Sequence, residues 1–404
     1  MNWRLSSFSL TFMRQAGATY VTRIAGVLIG LATAVAVSRV LGPEGRGAFA
    51  AAMAIAALGV SISNLGVSTS NTYHSSKDAR LVAPLIGNSL IASLAFGAAT
   101  ILGFAILRVG FGAFDGIGDV LFLAALAWVP IGVCYLFLTA IVLGTRRITL
   151  LNVSELALRA LTLLASVIVL FAIDLRTPEG VFLAALVVLA AVSTWLLAAV
   201  RPREPARIAF SPRLLFSHIP LALKSYIALL GAFVLVRIDL LMVQEMAGNA
   251  ETGHYSVAVS IADIIYILPA VISQVMFPHL TANPDRRKRL TTTGRLLAHV
   301  AWILALVGGA MWLLAPFVVR ILFGEAFMAS VPMLQVLIVA VYIYGLNGIA
   351  SNYFIAEGLP WPAVWIWVAA VVLNVALNLV WIPRLGGVGA AYASLVCYAV
   401  VLAF

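Results

Sequence analysis

Apolar residues do not alternate along this chain. They run in long blocks separated by short polar loops. Twelve blocks lie near 20–41, 47–72, 83–107, 119–143, 149–173, 180–200, 219–244, 253–277, 294–319, 331–356, 360–382 and 388–404. Each reaches the ~17–25 residues that a helix needs to cross a bilayer. The last is only just long enough, as expected of a C-terminally shortened form. The pattern predicts an all-α integral membrane protein with twelve transmembrane helices.

The junction between the first two blocks organises the rest. Ser38–Ala57 reads SRVLGPEGRGAFAAAMAIAA: the end of one helix, a break, and the start of the next. Pro43 has no N–H to donate, and Gly42 tolerates a backbone that other residues avoid. A shift of 206 residues puts Gly42 on Gly248, Gly47 on Gly253, Phe49 on Tyr255, Ala50 on Ser256 and Ala52 on Ala258. Gly180-Val181 and Gly387-Val388, 207 apart, fit nearly the same offset, each opening an apolar helix. Two tandem halves follow. They predict an N-lobe over 1–200 and a C-lobe over 219–404, six helices each, related by a pseudo-twofold axis normal to the membrane. The Pro-interrupted stretch 201–218 is the expected cytoplasmic linker.

Composition supports the membrane reading. The chain is 63% hydrophobic and 10% charged, with mean hydropathy +1.09, outside the range of soluble domains. The net charge of +10 has a place. With the N-terminus in the cytoplasm, fifteen of the 25 Lys and Arg fall on the cytoplasmic side. Six fall in outer loops: Arg39, Arg46, Arg108, Arg176, Arg320 and Arg384. The remaining four, Arg23, Arg159, Lys224 and Arg237, lie in or near spans. This asymmetry predicts a multi-pass protein of the bacterial cytoplasmic membrane with both termini inside. It also makes anionic lipid headgroups, not nucleic acid, the partner of the basic loops. The run Asn283–Arg289, NPDRRKR, reads as such a loop, an anchor for topology.

The first ~19 residues lack the apolar core of a secretory signal and fit a short amphipathic helix. Cys134 and Cys397 fall inside spans, where they read as small core residues. The chain carries no Walker loop, G-x-S-x-G, H-E-x-x-H or CxxC, and its five histidines do not cluster. It does not read as an enzyme, and no cofactor or metal is expected.

Polar groups inside spans are the informative ones, because hydrocarbon makes them costly. Ser61, Asn64, Ser68 and Asn71 step by 3, 4 and 3, on one face of span 2. Span 8 carries Ser256, Ser260, Asp263 and Gln274. Tyr344, Asn347 and Ser351 lie on span 10, and Asn374 and Asn378 on span 11. Interhelical hydrogen bonds account for any one stripe. Several together point to a water-filled cavity, faced by Asn64, Asn71, Asp263 and Asn374. Arg237 and Asp239 are ~200° apart on span 7, so they cannot face one cavity. Lys224 lies near the face of Asp239. Arg23 leads the small stripe Gly26, Gly30, Thr33, and a snorkelling anchor is its plainer reading. Glu155 and Arg159, four apart, read as a structural ion pair, and Gly26–Gly30 as ordinary GxxxG helix packing.

SRVLGPEGRGAFA and RIDLLMVQEMAGNAETGHYSVA (Arg237–Ala258) together resemble the O-antigen flippase-like, polysaccharide-transport branch of the multidrug/oligosaccharidyl-lipid/polysaccharide exporter superfamily. The resemblance covers essentially the whole chain. It implies a flippase that moves an undecaprenyl-diphosphate-linked oligosaccharide outward by alternating access. Coupling to H+, Na+ or the membrane potential is left open. Lipid-linked oligosaccharide, membrane lipids and glycan polymerase machinery are the implied partners. A diphosphate needs cations, and Arg23, Lys224 and Arg237 supply them. Sugars need amides and hydroxyls, and the stripes supply those. The candidate substrate-binding residues are thus Arg23, Asn64, Asn71, Lys224, Arg237, Asp239, Asp263 and Asn374. A drug or small-molecule cation antiporter of the same fold and a non-transporting scaffold for glycan assembly are the alternatives.

Overall fold

The computed structural model describes residues 7–200, 210–216, 219–281, 285–356 and 361–403. Among them every regular element is helical. The helices are α1 Ser7–Asn64, α2 Val67–Lys77, α3 Val82–Phe111, α4 Asp119–Gly144, α5 Ile148–Val167, α6 Pro178–Val200, α7 Pro212–Phe216, α8 Ile219–Thr281, α9 Arg286–Leu322, α10 Ser330–Ala356, α11 Trp361–Leu385 and α12 Gly387–Ala403. Among the described residues nine helical stretches are long and apolar enough to cross a membrane, and the shorter α12 is apolar as well. The chain is a multi-pass membrane protein.

The two longest helices are each a kinked pair. The α1 ladder is interrupted at Gly42 (φ 66°, ψ −176°), and that of α8 at Gly248 (φ 84°, ψ 177°). The two glycines are 206 residues apart and share one conformation, a region that is essentially glycine-only. The repeat read from the sequence is therefore a repeat of backbone geometry.

The chain divides into two units. The first holds residues 1–36, 59–111 and 123–226. Its core packs Val82, Leu85 and Ile86 of α3 against Leu138, Ile141 and Val142 of α4 and Leu196 and Val200 of α6. A neighbouring cluster joins Val67, Ala92, Val129, Val133, Phe137 and Leu215. The second unit holds 37–58, 112–122 and 227–404, so the Gly42 kink and the loop before α4 belong to it. Its core gathers Leu235 of α8, Ala340 of α10, Ala370 of α11, and Cys397 and Tyr398 of α12. Most of the expected linker lies outside the described residues.

Three local expectations are corrected. Span 2 is not one helix: α1 ends at Asn64, and Leu65 (φ 45°) and Gly66 (φ 80°) turn the chain before α2. Gly66 is the N-cap of the new helix, and the Asn64 Oδ1, two residues before it, accepts from the Ser68 N–H at 3.2 Å and satisfies one free donor of the first turn. The basic run is not a loop from residue 286 on. Asp285 caps α9, accepting from the N–H groups of Arg287 and Lys288 at 2.9 and 3.4 Å, so Arg286–Arg289 form its first turn. Glu155 and Arg159 form no ion pair among the described residues. The Arg159 side chain lies instead on α1, with Nη1 donating to the Gly26 carbonyl at 3.4 Å.

Candidate functional site

In the first unit the polar groups of α2 are used inside the helix packing. Asn71 is buried, donating to Ser89 Oγ at 2.9 Å and to the Phe137 carbonyl at 3.4 Å. Thr72 donates to the Ala140 carbonyl at 3.1 Å. The amide of Asn71 therefore ties α2 to α3 and α4 rather than facing water, because two acceptors inside the unit take both of its protons. Asn64 is half-buried at the α1–α2 turn.

The cationic feature of this unit is on α5. Arg159 is exposed midway along a membrane-length helix. The missing side chains of Gly26 and Gly30 make its room. A Cβ on Gly26 would stand 2.9 Å from Arg159 Cδ, and one on Gly30 would stand 3.5 Å from Nη1. The GxxxG stripe thus seats an arginine. Arg23, half-buried, precedes Gly26 by one turn on the same helix. The i,i+4 spacing with Glu155 predicts a local pair for Arg159; the sequence signal for its actual seat is the stripe of small residues on α1.

In the second unit Arg237 and Asp263 meet. Nη2 lies 3.0 Å from Oδ2, joining the two arms of α8. The carboxylate of span 8 thus has a counter-ion, half-exposed as it is, and Arg237 is no longer an unneutralised cation. Asp239 turns the other way, as a 200° step requires. It is buried and accepts from the Tyr255 hydroxyl, from Ser394 Oγ at 2.9 Å and from the Leu240 N–H at 2.8 Å. The Asp and the G-x-Y of the second motif are thus bonded to each other across α8. Tyr344 stands beside this cluster, its ring 4.9 Å from Tyr266 and 4.7 Å from Tyr398.

Asn374 is fully buried, and its Oδ1 accepts from Asn378 Nδ2 at 2.9 Å. The Nδ2 of Asn374 and the Oδ1 of Asn378 have no partner among the described residues. Asn374, like Asn71, lies inside a helix bundle and not on an open face. The side chain of Lys224 lies outside those described, as does that of Gln274.

The fold has relatives of known structure. The chain is similar to the inward-facing conformation of a multidrug resistance MATE family transporter of the MOP superfamily, with a TM-score of 0.76 and 15% identity over 96% of both chains. It is similar to the lipid II flippase MurJ in an inward closed conformation, with a TM-score of 0.69 and 15% identity over 97% of this chain and 86% of that one. It also resembles a MOP superfamily transporter from Pyrococcus furiosus, with a TM-score of 0.61 and 17% identity over 97% and 93%. None of the curated proteins matches the sequence. The family model of polysaccharide biosynthesis proteins matches residues 36–332, most of the chain. The chain belongs to that family, and it folds as the MOP superfamily transporters do.

Proposed function

We propose that this protein is a flippase of the bacterial cytoplasmic membrane, moving an undecaprenyl-diphosphate-linked oligosaccharide from the inner to the outer leaflet by alternating access. Twelve passes fit the helices: α1 and α8 each cross twice about their kinks, α3 to α6 and α9 to α12 cross once. The lobes are then 1–200 and 219–404, joined by the 201–218 linker and related by a pseudo-twofold axis normal to the membrane. The Lys and Arg asymmetry favours both termini inside.

The observation that carries the reading is the seat of Arg159 on Gly26 and Gly30, one turn from Arg23. An exposed guanidinium midway along a membrane helix is expensive unless a polar cavity or an anion meets it. Two cations, Arg23 on α1 and Arg159 of α5 lying against it, suit a diphosphate, which accepts several charged hydrogen bonds. Lys224 is a further cation for the same group. Arg237, neutralised by Asp263, orders the second lobe instead. Asn64, Asn71 and Asn374 act on the substrate through the helices they position. Asp239, buried with the hydroxyls of Tyr255 and Ser394, is the carboxylate for coupling to H+, Na+ or the membrane potential.

The test is a deletion strain analysed for its lipids. Lipid-linked oligosaccharide should accumulate, and the wild-type gene should clear it. Arg23→Ala should fail to clear it while the protein still inserts, and Arg23→Lys should clear part. No accumulation in the deletion strain would reject the reading. Extrusion of organic cations in its place would make the protein a drug antiporter.

A further inference from the structure

The two repeated kinks touch each other, and the contact is reciprocal. A Cβ on Gly47 would stand 1.7 Å from the Asn249 carbonyl oxygen, and one on Gly253 would stand 2.0 Å from the Pro43 carbonyl oxygen. The offset of 206 maps Gly47 on Gly253 and Pro43 on Asn249, so each repeat presses its glycine on the same carbonyl of the other. No side chain fits between them. The contact lies wholly within the second unit, between residues 37–58 and α8.

One feature of the contact does not repeat. Arg46 falls on Thr252, while Ser256 and Ser260 fall on Ala50 and Ala54. The Arg46 side chain is buried, 8% exposed, against the second arm of α8. Its Nε donates to Ser256 Oγ at 3.1 Å, and its Nη2 to Ser260 Oγ at 3.2 Å. Its guanidinium also stands 5.8 Å from the Phe49 ring centre. Among the described residues no carboxylate pairs with it. A guanidinium removed from water and met only by neutral hydroxyls and an aromatic ring is under-compensated, and an anion is a better acceptor than either serine.

We propose that Arg46 is an anion-responsive latch: its guanidinium holds the 37–58 segment on α8 through Ser256 and Ser260, and a phosphoryl anion takes it from those hydroxyls and frees the segment. The ligand class rests on the flippase reading, whose substrate carries a diphosphate, but the latch itself does not. Gly47 and Gly253 make the closed contact tight, and Arg46 makes it switchable. Anionic phospholipid headgroups carry the same phosphoryl chemistry and are the second source.

The latch is read by a buried thiol. Thr252 is fully buried beside Gly253. Thr252→Cys, with Cys134→Ala and Cys397→Ala, is reconstituted in phosphatidylcholine nanodiscs, where both faces are open, and labelled with a charged maleimide. Arg46→Gln should label about tenfold faster, as should the Ser256→Ala/Ser260→Ala pair, which keeps the arginine. Millimolar inorganic pyrophosphate should speed labelling of the Arg46 protein and leave the Arg46→Gln protein unchanged. Replacing half the lipid by phosphatidylglycerol, without pyrophosphate, tests the lipid source. Acceleration in either arm that depends on Arg46 supports the latch and identifies its ligand. Equal labelling of the Arg46 and Arg46→Gln proteins overturns it. So does a response to neither anion, or the same response to potassium chloride at matched ionic strength. Because the probes contain no glycan, these outcomes stand apart from the lipid accumulation that decides the flippase reading.

Discussion

Arg237 and Asp263 form an ion pair at 3.0 Å across the two arms of α8, although the chain separates them by 26 residues. The pair braces the helix on both sides of the Gly248 kink. Its side chains are 35% and 45% exposed, so its contribution to stability is modest, about 1 kcal/mol or less. The role is geometric. Arg237→Ala or Asp263→Ala should each lower glycan export, and the exchange Arg237→Asp/Asp263→Arg should recover part of it. Export assays on matched membrane levels decide this. An exchanged protein no better than the worse single variant would mean the two groups act separately.

Gly42 and Gly248 should be intolerant of any side chain, and for a reason unrelated to space. Neither has a neighbour within 4 Å of the place a Cβ would take. Their φ of 66° and 84° with extended ψ is strained for any residue that has one. Gly42→Ala and Gly248→Ala should each cost ~1–3 kcal/mol and lower the Tm of the purified protein. Gly103→Ala is the control. It has open space and an ordinary helical backbone, so it should be neutral or slightly stabilising.

Asp239 is predicted to be needed as a carboxylate and not as a shape. It accepts from the Tyr255 and Ser394 hydroxyls inside the second unit. Asp239→Leu would leave both donors buried without an acceptor, costing ~1–3 kcal/mol. Asp239→Asn can keep one oxygen at the Oδ2 position, where both hydroxyls donate, and should fold closer to wild type than Asp239→Leu. Its export should nevertheless drop, and should stop responding to an imposed ion gradient. Asp239→Asn at wild-type export, with the gradient response intact, would remove this residue from coupling.

The membrane class and the repeat were legible in the sequence because long apolar blocks and an offset between glycines are one-dimensional signals. Gly42 and Gly248 could be paired without a structure, and a shared conformation followed. The opposed directions of Arg237 and Asp239 were legible too, since two residues along a helix is ~200° of turn. Which partner each would find was not, because Asp263, Tyr255 and Ser394 come from other turns and other helices. The polar stripes misled for a related reason. Period 3 to 4 identifies a face but not what covers it. Asn71 and Asn374 share faces with other polar residues, yet both are buried, bonding α2 to α3 and α4 in one unit and Asn378 in the other. Leu65 and Gly66 broke the span 2 face itself, and no periodicity argument saw that turn coming. Glu155 and Arg159 have ideal spacing for a pair, but the room above Gly26 and Gly30 draws the arginine to α1.

That last arrangement gives the sharpest prediction about substrate. The Arg159 guanidinium reaches the Gly26 carbonyl only because Gly26 and Gly30 leave the α1 surface bare. Gly26→Ala should be tolerated. Its Cβ would meet Arg159 Cδ at 2.9 Å, and that atom belongs to a flexible side chain that can move. Gly26→Leu fills the seat and should displace the guanidinium from the turn above Arg23. Arg159→Ala removes the charge outright. Both should lower export by about tenfold, equivalent to ~1.4 kcal/mol on the barrier, if the cation meets the diphosphate as it crosses. Arg159→Lys keeps a charge but loses the forked donor geometry, and should fall between. The split between the variants separates the roles. If Arg159 only packs helices, Gly26→Leu and Arg159→Ala should lower the Tm along with export, and Arg159→Lys should match wild type. If it handles substrate, export should fall in all three while the Tm of Arg159→Ala stays within a degree or two of wild type.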